Sequence, residues 1–194
     1  RTKATVKEIW LDNVNQFDFY DRADIVKLSA AAIAQHFGLG GRLSDDQEIA
    51  NTIARYFAAV DQQDWNGAKT LMTNPFHLDY ASFGGGDPAN LDPADILAGW
   101  SGFLPGFDHT HHQLGNLDIE VFGDTARVAC YVTASHIIDD RVWTVVGTYN
   151  NSLIREADRW KLSGSQLLFK YQTGDTNLPA EAQQRMANRN VNEQ

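Results

Sequence analysis

Two histidine-bearing segments carry the residues best able to do chemistry. One is Asp108-His109-Thr110-His111-His112-Gln113-Leu114-Gly115-Asn116 and the other is Ala134-Ser135-His136. Between them stands the turn signal Gly123-Asp124, so the whole of Asp108–Ile138 reads as a β-hairpin with His112 and His136 toward the same end. On the return strand the two-residue period puts Ala126, Val128, Cys130, Val132, Ala134 and His136 on one face. That face is apolar until it reaches an imidazole, a group that titrates near neutrality. A single such histidine is more often a satisfied core residue than a functional one. Two side by side could move a proton, one as base and one as its neighbour in a pocket.

The elements that position this hairpin follow from periodicity and punctuation. Ser44-Asp45-Asp46-Gln47 reads as a capping box, opening a helix with Ile49, Ile53, Tyr56, Phe57 and Val60 on one face and an end near Asp61-Gln62-Gln63-Asp64-Trp65. After Asn66-Gly67 come a short amphipathic piece and a strand over Phe76–Phe83, with Phe76, Leu78 and Tyr80 on one face and His77 and Asp79 on the other. Gly84-Gly85-Gly86-Asp87-Pro88 reads as a loop. Asp92-Pro93 starts a helix reaching about Phe103. Turn signals at Gly123-Asp124, Asp139-Asp140-Arg141 and Ala157-Asp158-Arg159 divide Thr110–Tyr171 into four long antiparallel strands. Helices followed by a meander make an α+β plan. Residues 1–43 read as an N-terminal helical extension, with Ala23–Phe37 amphipathic, Gly38-Leu39-Gly40-Gly41 as stop and linker, and Trp10, Phe17, Phe19 and Tyr20 available for packing. Residues 44–176 form the main domain and 177–194 a C-terminal tail with a short helix and a polar, fraying end.

Composition narrows the function. The chain has 194 residues, 43% of them apolar and 21% charged, enough for one sizeable core plus an appendage. Its net charge of -9 argues against nucleic acid as a partner. No apolar run is long enough to span a bilayer, so a soluble, cytoplasmic protein with no membrane partner is expected. Cys130, the one cysteine, falls on an inward face and reads as a small buried residue. His109 and His111 share a strand face and could chelate, but no third ligand stands at matching spacing, so no metal is expected.

Taken in order, Asp61-Gln62-Gln63-Asp64-Trp65, Leu78-Asp79-Tyr80-Ala81-Ser82-Phe83, Thr110-His111-His112-Gln113-Leu114-Gly115, His136 and Arg159-Trp160-Lys161-Leu162 resemble the SnoaL-like branch of the nuclear transport factor 2 superfamily, in particular its scytalone-dehydratase-type members. The resemblance covers about Ser44–Gly174. It implies a cone-shaped barrel, a strongly curved antiparallel sheet wrapped by helices, with a hydrophobic pocket at one end. It also implies a catalytic set of His112, His136, Asp61 and Tyr80: His112 as general base and acid, Asp61 paired with His136, and Tyr80 donating to a carbonyl oxygen. Tyr56, Phe57, Val60, Leu114, Asn116, Val132, Trp143, Gly147, Tyr149 and Phe169 are the candidate substrate-binding residues. Val60 and Gly147 stand where those members carry polar groups, and Tyr149 could restore a lost donor.

The expected activity is a cofactor-independent dehydratase acting on a small, largely apolar hydroxy-carbonyl compound such as a polyketide intermediate. An isomerase or cyclase would use the same proton abstraction, and a non-catalytic ligand-binding or assembly module is the rival of another class. No cofactor is called for, and a homo-oligomer, dimer or trimer, is expected through the exposed sheet face.

Overall fold

In the computed structural model, residues 43–192 are described, so the predicted N-terminal extension lies outside the described residues. Helix α1 spans Asp45–Asp61 and buries Ile49, Ile53, Tyr56, Phe57 and Val60 on one face. Burying each such side chain contributes roughly 1.5–3 kcal/mol, so this apolar face alone seats the helix. A left-handed residue, Gln63, ends it. Asp64 then caps the short helix α2 (Trp65–Thr70) by accepting from the Gly67 amide at 2.9 Å.

Next come strand β1 (Met72–Asp79), a 3₁₀ turn over Ala81–Phe83, strand β2 (Ala89–Leu91) and helix α3 (Pro93–Ser101). Asp92 caps α3 from the position before its proline, as expected. A second 3₁₀ turn, Leu104–Gly106, leads into the long strands β3 (His109–Phe122), β4 (Thr125–Ile138), β5 (Arg141–Glu156) and β6 (Arg159–Gly174), and helix α4 (Leu178–Asn192) follows.

The six strands form one curved, unclosed sheet in the order β2-β1-β6-β5-β4-β3. The four long strands are the predicted meander. The sequence reading left the other edge of the sheet unplaced: β1 runs parallel to β6, and β2, between the segment read as loop and the cap at Asp92, pairs with β1 through Phe76 and Leu91. A three-residue strand is too short to show a period, which is why it goes unread in the sequence.

Period-2 burial is strict on β4, where Ala126, Val128, Cys130, Val132, Ala134, His136 and Ile138 all point inward, and on β5 from Trp143 to Leu153. This inner face and the apolar face of α1 enclose the core, to which α3 adds Ile96 and Leu97. Helix α4 is docked rather than frayed at its start. Leu178 and Ala182 are wholly buried, and Arg185 reaches Asp108 at 2.8 Å. Among the described residues no helix is long and apolar enough to cross a membrane.

Candidate active site

Asp61 is the last residue of α1, where the negative end of the helix dipole makes a carboxylate unfavourable. Three hydrogen bonds from β3 compensate. The Asp61 Oδ1 atom accepts from His112 Nδ1 at 2.7 Å and from the Thr110 hydroxyl at 3.2 Å, while Oδ2 accepts from the His112 backbone N–H at 2.7 Å. Burial alone would raise the Asp61 carboxyl, but these bonds and the neighbouring imidazole hold it below the usual carboxylate range. An ionised carboxylate only accepts, so Nδ1 of His112 carries a proton, and in the neutral ring the lone pair is on Nε2. Nε2 has no protein partner among the described residues, and His112 lines a cavity.

Here the pairing expected from the resemblance is corrected, because Asp61 binds His112 and not His136. The reason is topological. Helix α1 packs against β3, the edge strand, where Thr110 and His112 both face inward. His136 lies on the next strand, opposite Thr110 in register, with its ring centroid 6.3 Å from that of His112.

His136 is only 6% exposed and sits against Trp143 and Phe107, ring centroids 4.6 and 4.9 Å away. Its Nδ1 is buried without a hydrogen-bond partner. Burial, reinforced by the nearby His112, pushes its pKa down to about 4. The two histidines therefore have different parts: His112 is oriented by a carboxylate, and His136 stays neutral in an aromatic box.

The cavity measures about 190 Å³. His112, His136 and Tyr80 line it, as do Tyr56, Phe57, Val60, Trp143 and Tyr149 of the predicted binding residues. Tyr80 donates to the Tyr149 hydroxyl at 3.2 Å. Five predicted binding residues lie elsewhere. Asn116, at φ 52°, belongs to an irregularity in β3 between Gly115 and Asp118, which carries it out of the inward alternation. Leu114 and Val132 pack in the core beyond the cavity. Gly147 sits where any Cβ would strike the Leu168 carbonyl, so its role is close approach of β5 to β6. Phe169 backs the wall by packing on Phe83, ring centroids 5.1 Å apart.

Several wall residues were missed. Ala134, Val145 and Leu167 share the inner face with His136, Trp143 and Tyr149, so the period-2 pattern could have found them. The same pattern could have given Thr110, two residues before His112. Phe83, Phe103 and Leu104 come from irregular turns, and Trp100, on α3, also reaches the cavity. His109 and His111 face outward and are exposed. Among the described residues no three His, Cys, Asp or Glu side chains come together to hold a metal ion. A larger concavity of about 470 Å³ lies on the outer face of the sheet past Asp79, Glu120, Arg127 and Gln166, away from both site histidines.

A curved sheet that cups an apolar cavity against one helix, with a carboxylate–imidazole pair at its rim, defines a cone fold of the nuclear transport factor 2 type. The chain belongs to the SnoaL-like domain family, whose family model matches residues 41–165. It is 29% identical over 123 residues to the uncharacterized protein Rv2910c of Mycobacterium tuberculosis, a match spanning 62% of this chain and 82% of that one. Among solved structures it resembles the Kfla4162 protein of Kribbella flavida, with 27% identity, a TM-score of 0.65 and coverage of 71% and 97% of the two chains. A candidate scytalone dehydratase from Novosphingobium aromaticivorans shares the fold at 19% identity and a TM-score of 0.59, covering 68% of this chain and 87% of that one.

Proposed function

We propose that the protein is a cofactor-independent lyase that removes water from a small, neutral hydroxy-carbonyl compound, with His112 as the proton carrier. One observation carries the reading: the Asp61 carboxylate fixes Nδ1 of His112 and leaves the Nε2 lone pair at an apolar cavity. The name of the Novosphingobium neighbour is consistent with that reaction class.

In the proposed reaction Nε2 takes a proton from the carbon next to the substrate carbonyl, and a phenolic O–H donates to the oxygen on which charge develops. The carbon–oxygen bond to the hydroxyl then breaks as the carbon–carbon double bond forms. The proton held by His112 leaves with the hydroxyl as water. The neutral imidazole of His136 offers that hydroxyl a hydrogen bond. Asp61 stabilises the imidazolium between the two transfers without taking the proton itself.

The test is a screen of β-hydroxy-ketones by mass spectrometry, which separates water loss from double-bond migration. His112→Gln should lower turnover by at least about a hundredfold. Wild-type turnover in that variant would end the proposal, and a product of unchanged mass would make the enzyme an isomerase.

A further inference from the structure

One ring of the cavity wall is held from outside the cavity. Trp143, near the start of β5, stands in register with His136 on β4 and Gly174 on β6. Its indole is 5% exposed, and its Nε1–H donates to Gln172 Oε1 at 2.8 Å. Gln172 lies opposite Val145 on β6 and is itself exposed. Gly174, at φ 85°, keeps the end of β6 against the Val142 carbonyl, where a Cβ would overlap, and so keeps Gln172 within reach of the indole. An indole N–H only donates, and a buried one without an acceptor is costly. The bond to Gln172 therefore selects one orientation of the ring.

Three neighbouring rings fix its plane. The indole lies on His136, with centroids 4.6 Å apart, and is nearly parallel to Phe83 and Phe107, each 6.2 Å away at 22° and 19°. Phe83 belongs to the first 3₁₀ turn and Phe107 follows the second, so Trp143 ties both turns to the sheet at the cavity wall.

That wall decides what fits. A cavity of about 150 Å³ is known to hold benzene. The one here, 190 Å³, is larger by little more than the share of one water, about 30 Å³. A second fused ring brings four more carbons, and a wall must move to admit them. Tyr56 and Phe57 belong to the buried face of α1 and Tyr149 to the middle of β5, so they are backed by core. Trp143 stands nearer the end of its strand, with an exposed side chain beyond its Nε1 edge, so its removal opens the cavity outward. No lysine or arginine lines the cavity, so a charged substituent would find no counter-charge.

We propose that Trp143, with Gln172 as its positioning residue, limits the cavity to a single six-membered ring, which makes the substrate a neutral monocyclic carbonyl compound. The proposal rests on the reading of the cavity as the substrate site.

The probes are cyclohexanone and 1-tetralone, two neutral ketones that differ by one fused ring. A second ring adds apolar area, which by itself favours binding, so a preference for the smaller ketone is a steric signature. Dissociation constants are measured by NMR titration of the full chain, with melting curves to confirm folding. Wild type should bind cyclohexanone at least about tenfold more tightly than 1-tetralone, and Trp143→Leu should reverse the order. Gln172→Leu, at an exposed position, should narrow the preference, and Gln172→Glu, which keeps an acceptor for the indole, should preserve it. A purely structural role for Gln172 would shift the melting curve and leave the preference alone. Equal or tighter binding of 1-tetralone by wild type, no binding of cyclohexanone, or a preference unchanged in Gln172→Leu would overturn the proposal, whether or not Trp143→Leu folds. If His112→Gln keeps full turnover while the preference follows Trp143 and Gln172, the base assignment falls and the size limit stands.

Discussion

At the residue scale the division between the two histidines sets the expectations. Asp61 determines which nitrogen of His112 is protonated, so Asp61→Asn should keep the fold and lose at least about a hundredfold in turnover. The apolar face of α1 holds the helix without that carboxylate, and an unchanged melting curve beside the lost rate is the check. His136 supplies a pH prediction. Its folded pKa is about 4 and its unfolded value 6.5, so between these the unfolded chain binds a proton that the native chain does not. The stability conferred by neutral His136 is thus complete above pH 6.5 and falls by about 1.4 kcal/mol per pH unit on acidification, levelling off near pH 4 after a loss of roughly 3 kcal/mol. His136→Phe, which keeps a ring against Trp143 and Phe107, should lack this loss when denaturation is followed from neutral to acid pH. The same acid slope in that variant would show that His136 is not the group responsible. Both histidines were legible from residue type and spacing, and Asp61 from the family resemblance. Their pairing was not, because it depends on which strand the end of α1 meets, and strand order is not written in a two-residue period.

At the element scale, α4 and the Leu104–Gly106 turn form one structural unit with the cavity wall. Leu104 lines the cavity, Gly106 lies against the backbone of Ala182, and Arg189 donates to the Pro105 carbonyl at 3.0 Å. Two kinds of force could hold this contact, and they differ in size. Arg141 and Arg185 make ion pairs with Glu181, Asp175 and Asp108, but all are partly exposed, and such pairs contribute about 0–1 kcal/mol each. A Cβ at Gly106 would overlap the Ala182 backbone, a fault that costs about 1–3 kcal/mol. Gly106→Ala should therefore lower the denaturation midpoint clearly, and Arg185→Ala should move it little. The reverse order would make charge, not close packing, the force that docks α4. From the sequence this segment was only a short helix with a fraying end, since nothing local announces that a glycine some 75 residues upstream is its seat. The long strands β3 to β6, by contrast, were readable because each turn carried its own signal and each strand its own alternation.

At the scale of the whole molecule, the same alternation that fills the cone leaves the other face of the sheet to be explained. Opposite the cavity, Tyr131, Thr148 and Leu168 stand in one register row across β4, β5 and β6, with Tyr171 beside Val146 in a nearby one. Tyr131 is 61% and Tyr171 56% exposed, too much aromatic surface for an uncovered strand face. We propose that a second copy of the chain covers it, leaving the cavity, on the inner face, unobstructed. The net charge of -9 works against self-association at a distance, so a contact at this uncharged row would tighten as salt screens the repulsion. Sedimentation of the full chain over a range of concentration and salt should show a dimer or trimer, firmer at higher salt. Tyr131→Glu, a change at an exposed position that costs the fold little, should give a monomer. A wild-type chain that sediments as a monomer throughout, or a Tyr131→Glu variant that stays oligomeric, would remove this face from consideration.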